Sequence, residues 1–413
     1  MQIRPIVFAL WHHKAGTTLI VLQIALTLAI VCNALFIIHA RVARLSRPSG
    51  VDEADVLAIQ NQWPGSQASQ SWPALMASDL DTLRRVPGVV DAYASNAFPL
   101  GEGGWSKTVR YTMDQRNPVS STAIYFADEH TLGTLGLQLV AGRNFRADEI
   151  GEMGARDSLL PHVIIITKAL ADRLFPGGQA VGRQLCIGTA PPSTIIGVVE
   201  RMQTWIGSYS EAWVEQSTLV PFRLLASGTV YLVRTQPGML ERVAQTGPQA
   251  LFAANPLRVI GPEDVQTYDR IRASAYRSDR GMAILMGVIC VVLLATTAAG
   301  IVGLTSFWVG QRRRQIGVRR ALGATQRDIL GYFCMENLLI SLGGVCVGTM
   351  LALALNALLI DRFGMQRLSM AYVVVGVVAL LLLGQSAVLV PAWRASRLSP
   401  MQATRDALHG IPR

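Results

Sequence analysis

The chain has 413 residues, 51 % of them hydrophobic and only 15 % charged, and its mean hydropathy is +0.34. That balance is too apolar for an ordinary soluble protein of this size, so a membrane reading comes first. A net charge of +10 invites nucleic acid as a partner, and the placement of that charge along the chain decides the matter.

In residues 1–16, Ile3, Ile6, Val7, Leu10 and Trp11 recur at helical spacing with Arg4 and Lys14 among or after them. This predicts an amphipathic helix on the inner membrane face. His12 and His13 are adjacent, so they point to different helix faces and do not share a metal; no metal site is expected. Four segments then reach the ~20 apolar residues that a bilayer crossing needs: 17–40, 281–309, 329–360 and 372–393. The first has too long an apolar run for a secretion signal, and Val31 stands before Cys32 where a lipid-attachment motif wants a small residue. It is expected to stay as an anchor.

Between the first two spans lies the block 41–280. It alternates strand-like and short helical runs at turn signals such as Pro87-Gly88, Pro176-Gly177-Gly178 and Pro191-Pro192. Strands are expected at 163–166, 194–199 and 230–235, and helices at 168–175 and 240–253. The stretch from about 101 to 230 reads as an insertion between two smaller α/β parts. With Cys186 as its single cysteine, the block holds no internal disulfide. Residues 263–280 are polar, helix-compatible and run into the second span. They predict one continuous stalk helix from 263 to 309, about 70 Å long at ~1.5 Å per residue.

Charge follows this division. The block 41–280 carries 23 basic and 23 acidic residues, whereas twelve basic and two acidic residues fall in segments 1–16, 310–328 and 394–413. The excess positive charge therefore lies at one membrane face, as cytoplasmic loops and tails require, and nucleic acid is not needed to explain it. Arg41, Arg44 and Arg47 run against the bias but belong to a segment too long for the rule to weigh.

The loop 310–328 reads Gln311-Arg312-Arg313-Arg314-Gln315-Ile316-Gly317-Val318-Arg319-Arg320-Ala321-Leu322-Gly323-Ala324-Thr325-Gln326-Arg327-Asp328. Its spacing predicts a short helix with one apolar and one cationic face. A stop at Gly323 and a new N-cap at Thr325, with Asp328 three residues on, should follow it. This loop resembles the coupling-helix motif of the MacB/FtsX-like family of ABC transporter permeases, with Gln315 in place of the usual Glu. Similar matches are Val390-Pro391-Ala392-Trp393-Arg394-Ala395-Ser396-Arg397-Leu398-Ser399-Pro400 near the C-terminus and Ala141-Gly142-Arg143-Asn144-Phe145 in the outer block.

The resemblance implies a four-helix membrane protein with a large α+β periplasmic core domain inserted after the first span. It places the chain in the bacterial inner membrane with both termini cytoplasmic. It implies ATPase contact through Arg313, Arg314, Ile316, Gly317, Arg319, Arg320, Ala321, Leu322, Gly323 and Ala324. A separate ABC ATPase would hold ATP and Mg, with no cofactor on this chain. A second permease (identical or related), a periplasmic adaptor and an outer-membrane duct are the further implied partners. The expected function is mechanotransmission for efflux of a small molecule, peptide or lipoprotein; the alternative is FtsX-like relay to a cell-wall hydrolase.

Gly101 to Thr108 is a near miss for a phosphate-binding loop, with Ser106 where Gly is needed, and is read as a turn before a strand at 109–112. Catalytic clusters are absent, so a membrane-anchored enzyme has no support. Glu336 in the third span is read either as an interfacial partner of a loop arginine or as part of the transmission path. Asn33 and His39 are expected to hydrogen-bond between helices, and Gly344/Gly348, Gly300 and Gly303 to permit close helix packing.

Overall fold

A computed structural model describes residues 14–64, 72–205, 211–363 and 367–396, without the side chains of residues 14, 15, 211, 313, 314, 319, 320, 363, 395 and 396. The amphipathic helix expected over 1–16 and the tail 394–413 fall largely outside the described residues. Two compact units are formed: Met1–Ser46 with Ser278–Arg413, and Arg47–Arg277.

In chain order, α1 (Lys14–Leu45) leads into a first lobe of the second unit, with β1 (Val56–Gln62), α2 (Trp72–Arg84) and β2 (Val89–Ser95). A second lobe follows: β3 (Trp105–Arg110), β4 (Ser120–Phe126), α3 (Thr131–Leu135), β5 (Leu139–Gly142), β6 (Gly151–Gly154), β7 (Val163–Thr167), α4 (Lys168–Leu174), β8 (Gln184–Ile187), β9 (Ser193–Val199), β10 (Ser217–Val220) and β11 (Phe222–Leu225). The chain returns to the first lobe with β12 (Gly228–Thr235), α5 (Leu240–Ala254), β13 (Val265–Thr267) and α6 (Tyr268–Ala275).

The first lobe is a four-stranded sheet in the order β13-β1-β12-β2. Strand alternation sends Leu57, Ile59, Ala92, Ala94, Tyr231 and Val233 to one face, where Met76, Leu80 and Leu83 of α2 and Val243 and Leu251 of α5 close a core over them. Set into this core is an ion pair. Arg258 holds Asp79 through two hydrogen bonds of 2.8 and 2.9 Å, both side chains being almost wholly buried, and Tyr231 donates to the same carboxylate at 2.6 Å. The Arg258 guanidinium also lies 4.3 Å from the Trp63 ring.

In the second lobe the strands run β5-β9-β7-β10-β4-β3-β8, and a β8–β9 pairing closes six of them into a ring around Ile124, Phe126, Ile164, Ile166, Ile195 and Val220. β5 adds to β9 outside that ring. The Ala141 to Phe145 motif is explained here. Gly142 has φ +78° and sits so near the Ile196 carbonyl that a Cβ would fall 2.1 Å from its oxygen; Phe145 is buried; Arg143 makes a forked pair with Glu149.

Two expectations are corrected. The strand containing Val109 begins at Trp105, so Ser106, Lys107 and Thr108 lie inside β3, paired with β4, and not in a turn. Nor does one helix run from 263. Val265–Thr267 pairs antiparallel with β1, α6 follows, and Tyr276 (φ −103°, ψ 12°) separates it from α7 (Arg277–Gln311). Burial explains the break: Tyr268, Ile271 and Tyr276 are buried, the Tyr276 hydroxyl donates to Gln203 Oε1 at 3.0 Å, and Arg272 pairs with Glu53. Anchored side chains on successive short elements fix the segment to the second unit, through Glu53 of the first lobe and Gln203 of the second, and the helix that remains is ~52 Å long at ~1.5 Å per residue.

α7 is joined in the membrane unit by α8 (Arg313–Ala321), α9 (Gln326–Phe363) and α10 (Met370–Ser396). α1, α7, α9 and α10 are each long and apolar enough to span a bilayer; α1 is the most enclosed of the four and α7 the least. Glycines determine this. A Cβ at Gly344 would stand 2.8 Å from Ile24, and one at Gly348 2.9 Å from the Ala25 backbone, so the G-x-x-x-G of α9 lets α1 approach within the same chain. Gly300 makes room for Gln23, whereas nothing lies near Gly303. Asn33 donates to the Ala352 carbonyl at 3.2 Å, the interhelical bond expected of it, and Thr27 meets Thr297 at 2.8 Å. His39 instead makes a tilted ring contact with Tyr372, centroids 5.7 Å apart.

Candidate functional site

The candidate site is the connection from α7 to α9. α8 follows α7 after a single residue, Arg312, and the hydrogen bonds Arg312 N–H to Trp308 O and Ile316 N–H to Arg312 O, each 3.0 Å, carry the helical pattern across the junction. There is accordingly no loop before the short helix. Gly323 ends it with φ +99°, a left-handed position that a side chain resists. Next, Thr325 and Asp328 cap α9 reciprocally: the Thr325 N–H donates to Asp328 Oδ2 at 2.9 Å and the Asp328 N–H to Thr325 Oγ1 at 3.3 Å. Both the stop and the new start were legible in the residues.

Ile316 and Gly317 face inward, and Ile316 packs in the cluster that contains Trp308, Val309, Ile329 and Phe333. Above it, Arg312 Nη1 donates to both carboxylate oxygens of Glu336 at 3.0 Å and lies 3.4 Å from the Tyr332 hydroxyl. A carboxylate in a membrane-spanning helix is thereby paired at the point where α7, α8 and α9 meet. The loop arginine expected to pair with Glu336 is thus Arg312, which falls outside the ATPase-contact residues that the resemblance implies.

Val318 is 54 % exposed and Leu322 83 % exposed, one helical turn apart. Leu322 does not share the buried face with Ile316, as one apolar face and one cationic face would require. Ala321 and Gly323 are exposed and Ala324 half-buried, while Arg313, Arg314, Arg319 and Arg320 lie on α8 with side chains outside the description. The socket formed by Ile329, Tyr332 and Phe333 carries no sequence signal beyond the apolar period of a span. With Arg312, Gln315 and Ile316 it encloses a cleft of about 30 Å³, the space of a water molecule and far below the ~300 Å³ of a small-molecule pocket. Among the described residues no cluster of three metal-ligating side chains occurs.

Four spanning helices with a large domain inserted after the first define a polytopic membrane protein. The MacB-like periplasmic core domain model matches residues 18–246, and the FtsX-like permease C-terminal model matches residues 287–400. The chain belongs to the MacB/FtsX-like family of ABC transporter permeases.

Among its curated relatives, the macrolide export ATP-binding/permease protein MacB of Chromobacterium violaceum is 26 % identical over 321 residues, covering 76 % of this chain and 47 % of that protein. MacB of Bordetella avium is 25 % identical over 97 % of this chain and 59 % of its own length. The probable syringafactin export ATP-binding/permease protein SyfD of Pseudomonas syringae pv. tomato is 28 % identical over 86 % and 50 %. The chain spans about half the length of the curated relatives it matches. Of solved structures, the periplasmic region of MacB from Actinobacillus actinomycetemcomitans is 14 % identical with a TM-score of 0.34, covering 56 % of this chain and 97 % of that one.

Proposed function

We propose that this chain is the permease subunit of a MacB-type exporter and that α8 receives the force of a partner ABC ATPase. The observation that carries the reading is the division of α8 into two faces. Ile316 is sunk into the bundle beside the Arg312–Glu336 pair, while Val318 and Leu322 stand out in solvent next to a run of arginines. Exposed apolar side chains on a firmly seated helix favour a protein partner. A push on α8 passes to α7 through a helical junction and to α9 through the ion pair.

In this scheme ATP and Mg reside on the ATPase, and the permease works by mechanotransmission as a dimer with an identical or related chain. The membrane is the bacterial inner membrane, with both termini and α8 cytoplasmic and the inserted domain periplasmic. The names of the relatives, which export macrolides and syringafactin, support outward transport of a small molecule, peptide or lipoprotein through a periplasmic adaptor and an outer-membrane duct. The match to the MacB-like core over 18–246 favours this over the relay to a cell-wall hydrolase.

The test is copurification with a partner ABC ATPase, and stimulation of its turnover. Val318→Asp and Leu322→Asp should abolish both while the permease still inserts in the membrane. Undiminished binding and turnover in both variants would refute the assignment of α8.

A further inference from the structure

The inserted domain contains a cleft of about 360 Å³, within the ~300–1,000 Å³ of small-molecule sites. Residues 48–53, which lead into β1, form one wall. Gly136 and Gln138, just before β5, form the other with Glu200 and Arg201, just past β9. Both walls are tied in place by backbone bonds. Gln203 N–H donates to the Ser49 carbonyl at 2.8 Å, Asp52 N–H to the Leu135 carbonyl at 2.9 Å, and Glu200 N–H to the Gln138 carbonyl at 2.8 Å. Gly50, with φ +88°, lies so near the Arg201 carbonyl that a Cβ would fall 2.1 Å from its oxygen. The space between the walls is thus preformed.

Charge inside the cleft is not balanced. Asp52 is answered by Arg234 at 3.0 Å, Glu53 by Arg272, and Arg201 faces Glu215 at 3.6 Å. Glu200 is left over: it is exposed, and its side chain makes no hydrogen bond or ion pair among the described residues. Lys168 feels its charge but is bonded to Asp172 at 3.1 Å. An unanswered carboxylate lining a preformed space selects a cation. No three ligating side chains come together among the described residues, so a metal ion finds no cage, whereas an organic ammonium needs only one carboxylate. Pro48 and Val51 add apolar surface to the same wall as Asp52. We propose that this cleft binds a short aliphatic amine, with its ammonium group on Glu200 and its methylene chain along Pro48 and Val51. The site lies wholly in the inserted domain and is independent of any ATPase contact at α8.

Equilibrium dialysis of labelled putrescine, an aliphatic chain with an ammonium group at each end, against the full-length protein in nanodiscs of zwitterionic phosphatidylcholine tests this. One saturable site per chain is expected, and the matching diol, with hydroxyls in place of the amines, should not compete. Glu200→Gln keeps the size and removes the charge; it should weaken binding by about tenfold or more. Gln138→Trp fills the cleft with charge unchanged and should abolish binding. Both positions are exposed, so neither variant disturbs the core. Glu241→Gln, which removes an exposed carboxylate from α5, should leave binding as it was. Absence of saturable binding, binding that survives Gln138→Trp, or equal losses in the Glu200 and Glu241 variants would overturn the proposal.

Discussion

Arg312, just past the end of α7, and Glu336, in the third turn of α9, close an ion pair with side chains only 14 % and 3 % exposed. Taking away one partner leaves a buried charge unanswered, which costs about 3–5 kcal/mol, whereas replacing both with apolar residues of similar size costs far less. Arg312→Ala should therefore lower the thermal unfolding midpoint in detergent sharply. Arg312→Leu combined with Glu336→Leu should restore most of that stability while ATPase stimulation stays low. Recovery of stimulation together with stability would reduce the pair to a structural role.

A comparable lock holds the first lobe together. Arg258→Ala strands Asp79 in the core and should cost about 3–5 kcal/mol in chemical unfolding. Tyr231→Phe removes one hydrogen bond to a charged group and should cost about 1.5–3 kcal/mol. Equal losses in the two variants would show that the carboxylate finds another partner.

The stop at Gly323 can be probed without touching any contact. Its left-handed φ penalises a side chain by about 1–2 kcal/mol, and no neighbour lies near enough to add a clash. Gly323→Ala should weaken ATPase stimulation while leaving the unfolding midpoint of the bundle nearly unchanged. A large fall in that midpoint would mean that the turn supports the fold itself.

Acid sensitivity is predicted for the second lobe. The forked hydrogen bonds from Arg143, with a further bond from the Arg146 backbone N–H, outweigh burial and hold Glu149 down at about 2. Because the folded value is depressed, the stabilisation is complete above the ordinary glutamate range, ~4.3, and is lost progressively as pH falls toward about 2. Unfolding midpoints measured across this window should fall more steeply in the unaltered protein than in Arg143→Gln. Parallel curves would count against the pair.

Much of this was readable from residues, for reasons that differ by element. Long apolar runs specify spanning helices because the bilayer demands length, and Gly323, Thr325 and Asp328 specify a stop and a start because their backbone and side-chain chemistry acts locally. β13 was not readable: three residues give too little alternation to distinguish a strand from the helix that follows, and only pairing with β1 decides it. The outward position of Leu322 escaped too, because a period of 3.6 assigns residues to faces without saying which face meets the bundle.

The ring of strands in the second lobe begins after β2 and ends before β12, and those two strands are paired neighbours, with Tyr93 opposite Leu232. Its entry and exit thus share one hinge line on a sheet that is complete without it. Evolution could exchange such a cassette whole while the four-stranded sheet and the helical bundle remain untouched.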